Sequence, residues 1–181
     1  YEPEAYHKLL FLTDGGMNIA PSLEEKKMIV HNAIQAAAAL GISPVKVACI
    51  TAKEKVSEKM EATVDAAALK DMQQKGEFGA SVLVEGPIAF DLAVSEEACK
   101  IKKYNSPVGG DADVLLVPTI EVGNGIGKTL TYMAKAPSAG VIMGAKTPIV
   151  LVSRADSAEA KLNSIALGSI IASKASYNRL N

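Results

Sequence analysis

The sequence predicts an α/β fold: a largely parallel sheet with helices on both faces. Short apolar runs alternate with helix-period segments along the whole chain, which is the pattern of repeated strand–helix units. The runs are apolar at consecutive rather than alternate positions, as strands buried on both faces must be. With 181 residues, 49% hydrophobic and 22% charged, the chain can bury the core that such a sheet needs.

Leu9 to Thr13 reads as the first strand. Ser22 to Leu40 follows as a helix, opened by the capping box Ser22-x-x-Glu25 and closed before Gly41. Val45 to Thr51 is the next strand, and Gly76 stops a helix over about Thr63 to Lys75. Ser81 to Val84 precedes a helix over about Ala89 to Lys102, and Val114 to Val117 precedes one over about Asn124 to Lys135. Val141 to Met143 and Ile149 to Val152 read as two closely spaced strands, and Ser157 to Lys174 as a long final helix. In open α/β sheets ligands dock outside the carboxyl ends of the strands. Here those ends read Thr13-Asp14-Gly15-Gly16, Thr51, Glu85-Gly86-Pro87, Pro118-Thr119-Ile120-Glu121 and Ser153-Arg154, so the polar inventory gathers on one rim. The stretch from Ser106 to Asp113, with Pro107, Gly109 and Gly110, is the one loop long enough to cover part of it.

A net charge of −1 gives no global pull toward nucleic acid or anionic membrane, and no apolar run reaches the ~20 residues of a membrane-crossing helix. Cys49 and Cys99 fall inside a predicted strand and a predicted helix, away from disulfide or metal spacing, and read as core thiols of a cytoplasmic protein. The chain begins Tyr1-Glu2-Pro3 without methionine, which leaves room for a piece of something longer.

The junction Pro148 to Glu159 carries the most chemistry. Arg154, one of two arginines beside Arg179, is delivered with Ser153 from an apolar run to the start of a helix. A helix N-terminus offers unpaired N–H groups and a positive dipole end, and a guanidinium adds a planar fork of donors, so the junction reads as an anion site. Asp156 and Glu159 are spaced as a helix cap and its partner three residues on; catalytic base work is the alternative for either. Gly123-Asn124-Gly125-Ile126-Gly127-Lys128-Thr129 invites a P-loop reading that fails on count, because Val122 stands where the first glycine belongs. A glycine-rich, lysine-bearing turn facing an anionic ligand and a plain helix start both remain open. Neither His7 nor His31 accompanies a nucleophile motif, and no metal-ligand spacing occurs.

Four stretches together resemble the phosphate acetyltransferase/phosphate butyryltransferase family: Glu85-Gly-Pro-Ile-Ala-Phe90-Asp91, Ser106-Pro-Val-Gly-Gly-Asp-Ala-Asp113, Pro118-x-x-Glu121-x-Gly123-Asn124-x-x-x-Lys128, and Ser153-Arg-Ala-Asp-Ser-Ala-Glu-Ala-Lys161. They occur in the family's order from Leu9 to about Ser173, and the last and the opening Leu10-Phe-Leu-Thr-Asp14-Gly-Gly-Met-Asn18 are closest to the butyryl branch. The resemblance implies acyl transfer between coenzyme A, as a substrate, and inorganic phosphate, without a metal. It implies the two-domain fold of isocitrate and isopropylmalate dehydrogenases, with residues 1–147 as the second domain and 148–181 as a strand and helix returning to a first domain. Arg154 and Ser153 would be catalytic, with Glu159 or Asp156 as base, and Asn124, Gly123, Lys128, Ser106 and Gly109 would bind substrate. It also implies a homodimer, for which the alanine-rich stretch Ala33 to Leu40 offers a close-packing face. Two positions depart from the family: Glu85 replaces the usual aspartate, and Ala160 stands where acetyltransferases carry a proposed basic aspartate. A non-catalytic coenzyme A- or phosphate-binding remnant and a different enzyme on the same fold are the competing expectations.

Overall fold

The computed structural model describes residues 1–177, so Arg179 lies outside the described residues. Strands β1 (Phe11–Thr13), β2 (Val45–Ile50), β3 (Val82–Ile88) and β4 (Val114–Leu116) form one all-parallel sheet in the order β1-β4-β2-β3. The apolar runs have two destinations. Val45, Val47 and Cys49 of β2 face a cluster with Ile29 and Val30 of α1 (Leu23–Ala39) and Leu69 of α2 (Glu61–Gln74). Their neighbours Ala48 and Ile50 face the opposite cluster, with Leu92 of α3 (Phe90–Val94) and Cys99 of α4 (Glu96–Lys102). Val114 and Leu116 likewise divide from Leu115, so a run apolar at every position follows from burial on both faces. On the second face also lies α5 (Ile120–Tyr132), whose Gly127 sits against Leu12. The last helix, α6 (Ala158–Tyr177), packs along α1.

The Ser22–Glu25 capping box is present and opens α1. From α1, Lys26 donates to Asp65 of α2 at 2.6 Å, a buried ion pair that ties the two helices of the first face together. The alanines expected to receive a second copy are otherwise engaged: Ala33, Ala36 and Ala37 are buried in the chain's own core.

Several boundaries depart from the sequence reading. Glu85-Gly86-Pro87 is part of β3 rather than the turn after it. β3 is an edge strand, where proline's missing N–H costs no ladder bond on the open side. Gly86 is required by packing, since a Cβ there would stand 2.8 Å from the Cβ of Cys49. The helix expected over 89–102 is broken at Ser95, whose hydroxyl accepts from the Ala98 N–H and starts a second helix. The two strands expected at 141–143 and 149–152 reduce to one antiparallel bridge, Ile142 to Ile149, outside the sheet. No sheet partner covers that segment among the described residues, and Ile149, Val150 and Leu151 are 48%, 40% and 68% exposed.

The loop from Ser106 to Asp113 does not cover the carboxyl rim. Its backbone is pinned to α3 by the Gly110 N–H to the Leu92 carbonyl and the Ala112 N–H to the Ala93 carbonyl. Its end closes the amino edge of the sheet: Asp111 pairs with Lys46, with Lys8 and with His7, both of the latter at 2.7 Å, while Asp113 accepts the Lys46 N–H. Partial burial works to raise the Asp111 pKa, but Lys46, Lys8 and His7 outweigh it and hold the carboxyl well below its ordinary range. A depressed carboxylate pKa stabilises the fold above the unfolded value near 4, and that stability is lost as pH falls toward the folded value. Asp111→Asn is therefore expected to lower Tm at pH 7 by about 3–6 °C, for ~1.5 kcal/mol of charged hydrogen bonding, and to shrink the fall in Tm between about pH 4 and pH 2. Thermal scans of both proteins across that range check it.

Candidate active site at the carboxyl rim

The loop leaving β1 is folded around one carboxylate. Asp14 Oδ1 accepts the N–H groups of Gly16 and Met17 at 2.8 and 3.0 Å, and Oδ2 accepts the Asn18 N–H at 2.9 Å and its side-chain amide at 2.6 Å. Burial works to raise the Asp14 pKa, but these bonds outweigh it and leave the carboxyl below its ordinary value. The loop so formed docks on the first turn of α5. The Ile19 carbonyl accepts the Ile120 N–H at 2.9 Å, and the Asn124 side-chain amide donates to the Gly15 carbonyl at 3.4 Å. Gly123 makes the contact possible, because a Cβ there would lie 2.7 Å from both the Asp14 carbonyl oxygen and the Gly15 Cα.

Gly123 to Lys128 is thus helix, not an anion-cradling turn. Its glycines 123 and 127 are buried against the β1 loop and the Tyr1 hydroxyl, whereas Asn124 and Lys128 are exposed. Lys128 Nζ stands 5.9 Å from the Tyr132 ring centre. The positive end of α5 already has a carboxylate: Glu121 accepts from its own N–H and from Thr119, which lowers its pKa.

Arg154 stands on a separate turn. Ser153 to Asp156 is a turn closed twice, by the Asp156 N–H to the Ser153 carbonyl at 3.1 Å and by the Ser153 N–H to Asp156 Oδ2 at 2.8 Å. At its apex the Arg154 side chain is exposed and has no carboxylate partner among the described residues. The helix cap falls elsewhere than the spacing suggested: the Ser157 hydroxyl accepts the Ala160 N–H at 3.1 Å. Asp156 is spent on the turn, and Glu159 is exposed and has no partner among the described residues. Ala160 is buried.

Ser106 and Gly109 belong to a third place, around the buried Glu85. Glu85 accepts from Lys70 at 2.6 Å and from its neighbour's N–H on one oxygen, and from the Ser106 hydroxyl at 2.7 Å on the other. Burial first, then Glu85, raises the Tyr104 phenol. An open surface depression of about 380 Å³ lies beside this cluster, with Glu96, Lys100, Lys103, Tyr104, Ser106 and Gly109 among its lining. Among the described residues no hydrogen bond or ion pair joins the three places, and no His, Cys, Asp and Glu converge as a metal site requires. Both cysteines are free; burial pushes Cys49 up to about 12. His7 is taken up by Asp111, and His31 lies on Phe78 with ring centres 5.0 Å apart.

Sequence reasoning passed over Asp14 as a site residue although the signal was present: an aspartate followed by two glycines, with an asparagine four positions on, is local turn chemistry. The Glu85 partners gave no such signal, being 15 and 21 residues away.

Residues 3–169 match the model of the family described as Phosphate acetyl/butaryl transferase. A probable phosphate butyryltransferase of Bacillus subtilis is 54% identical over 162 residues, 90% of this chain and 54% of its own length. A phosphate acetyltransferase of Rhizobium meliloti is 46% identical over 165 residues, 91% of this chain and 52% of its own. The crystal structure of a branched-chain phosphotransacylase from Enterococcus faecalis superposes with a TM-score of 0.80 at 40% identity, covering 88% of this chain and 56% of the other. The chain spans about half the length of these relatives.

The two glycines of α5 that differ in surroundings give opposite expectations. Gly123→Ala meets backbone that cannot move aside and should cost about 1–3 kcal/mol, as overpacking does. Gly125→Ala enters open space in a helix interior and should gain about 0.5–1 kcal/mol. Urea unfolding midpoints of the two variants, expected on opposite sides of the parent, provide the check.

Proposed function

This chain belongs to the phosphate acetyl/butyryl transferase family, and from that premise we propose that the protein carrying it moves a short acyl group between coenzyme A and inorganic phosphate. In one direction a phosphate oxygen attacks the thioester carbonyl, the C–S bond breaks, and the coenzyme A thiolate leaves and takes up a proton. In the other, the thiolate attacks the acyl phosphate and phosphate leaves. A thiol with an ordinary pKa of about 8.5 is a competent nucleophile and leaving group, so the protein's work is positioning and charge stabilisation rather than covalent catalysis.

The observation that carries this reading is the Arg154 guanidinium, unpaired among the described residues, at the apex of a twice-closed turn. Such a group can take two phosphate oxygens at once and then steady the oxyanion of the tetrahedral intermediate, with the Ser153 hydroxyl as a further donor. Glu159, exposed and without a partner among the described residues, is the better candidate for the base, because Asp156 holds the turn. Asn124 and Lys128 supply an amide and a cation on the facing side of α5, and Gly123 lets the β1 loop close against them. Ser106 and Gly109 enter as lining of the open depression beside α4, where Lys103 offers a cation to the phosphates of coenzyme A and Lys100 is paired with Glu96 at 3.5 Å.

In this reading residues 1–147 are one wall of a cleft. Residues 148–181 are the segment expected to return to a first domain, the part of the relatives not covered by this chain: Ile149 to Leu151 would add there as a strand, while α6 keeps its packing along α1. The exposed apolar run Ile149 to Leu151 supports that role, since an edge of this kind wants a sheet partner. We infer that the protein acts as a cytoplasmic homodimer, two-fold dimers being the commonest symmetric state of soluble oligomers.

Arg154 is the test. In a protein of the relatives' full length bearing this sequence, Arg154→Ala is expected to lower kcat by on the order of 10²–10³, as loss of one preorganised oxyanion donor does. Arg154→Lys should recover part of that, keeping the charge and losing the fork. Phosphate-dependent release of free thiol from butyryl- and acetyl-coenzyme A measures both; a lysine variant with the parent's rate and phosphate KM would remove the role.

A further inference from the structure

The carboxyl rim has a second crevice, above β2 and β4. These strands are neighbours in the sheet, and the chain leaves β2 for α2 on the first face and β4 for α5 on the second. Adjacent strands whose connections part in this way open a space outside their carboxyl ends, and ligands of open α/β sheets bind in such spaces. Here the space is a small cavity of about 10 Å³ with Ile50 and Val117 at the strand ends, Ala62 and Leu69 of α2 beside them, and Lys26 and Asp65 in its lining. A cavity of that size holds about one water-sized group. Lys26 and Asp65 are 7% and 8% exposed, and they are the charged members of an otherwise apolar lining. Their contact at 2.6 Å takes up one of the three ammonium donors, and Asp65 is the ammonium's one partner among the described residues. Apolar side chains of similar volume commonly stabilise a fold as well as a buried ion pair does, so joining α1 to α2 does not by itself call for charge.

We propose that Lys26 donates a hydrogen bond in this crevice to an amide carbonyl of the coenzyme A arm, with Asp65 as the residue that positions the ammonium. The inference rests on the acyltransferase reading above and gives the arm a place that reading leaves open. Size, charge and lining select the ligand chemistry. Room for about one group is too little for a phosphate with its tetrahedron of oxygens. Asp65 offsets the charge of the ammonium, so the pair suits a neutral acceptor rather than an anion. The apolar walls suit the methylenes that flank each amide of the arm, and a few polar groups within apolar walls are the usual composition of a small-molecule site.

The test measures kcat/KM by phosphate-dependent thiol release, in a protein of the relatives' full length bearing this sequence, for butyryl-coenzyme A and for analogues in which one or the other amide of the arm is replaced by a pair of methylenes. The variants are Lys26→Met/Asp65→Leu and Lys26→Leu/Asp65→Leu, which remove both charges together so that no lone ion is left buried. A cooperative thermal transition verifies that each is folded. In the parent, loss of one of the amides is expected to lower kcat/KM by on the order of 10–100-fold, as loss of a hydrogen bond to a charged group does. In the double variants that dependence should shrink to about twofold, because the pair and the amide act on each other. A parent indifferent to both amides, or folded double variants that keep its full dependence while losing activity equally on every substrate or not at all, overturns the site and leaves the acyltransferase reading standing. A parent inactive on butyryl-coenzyme A itself overturns both.

Discussion

The rim depends on one close approach, the backbone of Gly15 against that of Gly123, closed from the loop side by the Asp14 carboxylate. A parallel sheet forces each strand's successor helix onto one face or the other. Here the chain leaves β1 for α1 on the first face and leaves the neighbouring β4 for α5 on the second. The carboxyl ends of β1 and β4 therefore part, which is the geometry that makes a ligand crevice in this class of fold. Left to itself the β1 loop would be free over that crevice. With two glycines facing, it instead lies on α5, gives it two carbonyl acceptors, and presents Asn124 at a fixed place.

The remaining buried charges act as ties between layers. Lys26 and Asp65 join α1 to α2 on the first face. Asp111 gathers Lys8 and Lys46 at the amino edge, so the segment before β1 and the start of β2 are held by the residue that leads into β4. Glu85 does the corresponding work at the edge strand. Its two oxygens take Lys70 from α2 and Ser106 from the loop after α4, so side chains from both faces close over an edge that would otherwise be free to pair with another chain.

The sheet, its order of helices and the opening capping box were legible because they rest on periodicity and local chemistry. The family was legible from four motifs and is borne out by the match over residues 3–169. Two misreadings and one alternative left open share a cause, since local sequence does not carry the tertiary surroundings that decided them. Glu85-Gly86-Pro87 has the composition of a turn, but an edge strand tolerates its proline and Cys49 demands its glycine. Gly123 and Gly127 resembled a phosphate-cradling turn, yet they are small because Asp14 and Tyr1 pass close by. Ile149 to Leu151 is patterned as a strand, and the described chain offers it no sheet to join. The Ser153–Arg154 pair was visible from the start; that Asp156 closes its turn while Ser157 caps the helix was not, because adjacent polar residues compete for the same role.

The central claim is that phosphate, and not water, receives the acyl group. The direct measurement is ³¹P NMR of a full-length protein bearing this sequence, incubated with butyryl-coenzyme A and inorganic phosphate, with free thiol followed in parallel. The account predicts one acyl phosphate formed per thiol released and no thiol release when phosphate is withheld. Thiol release that continues without phosphate, or that leaves the inorganic phosphate signal unchanged, would contradict it.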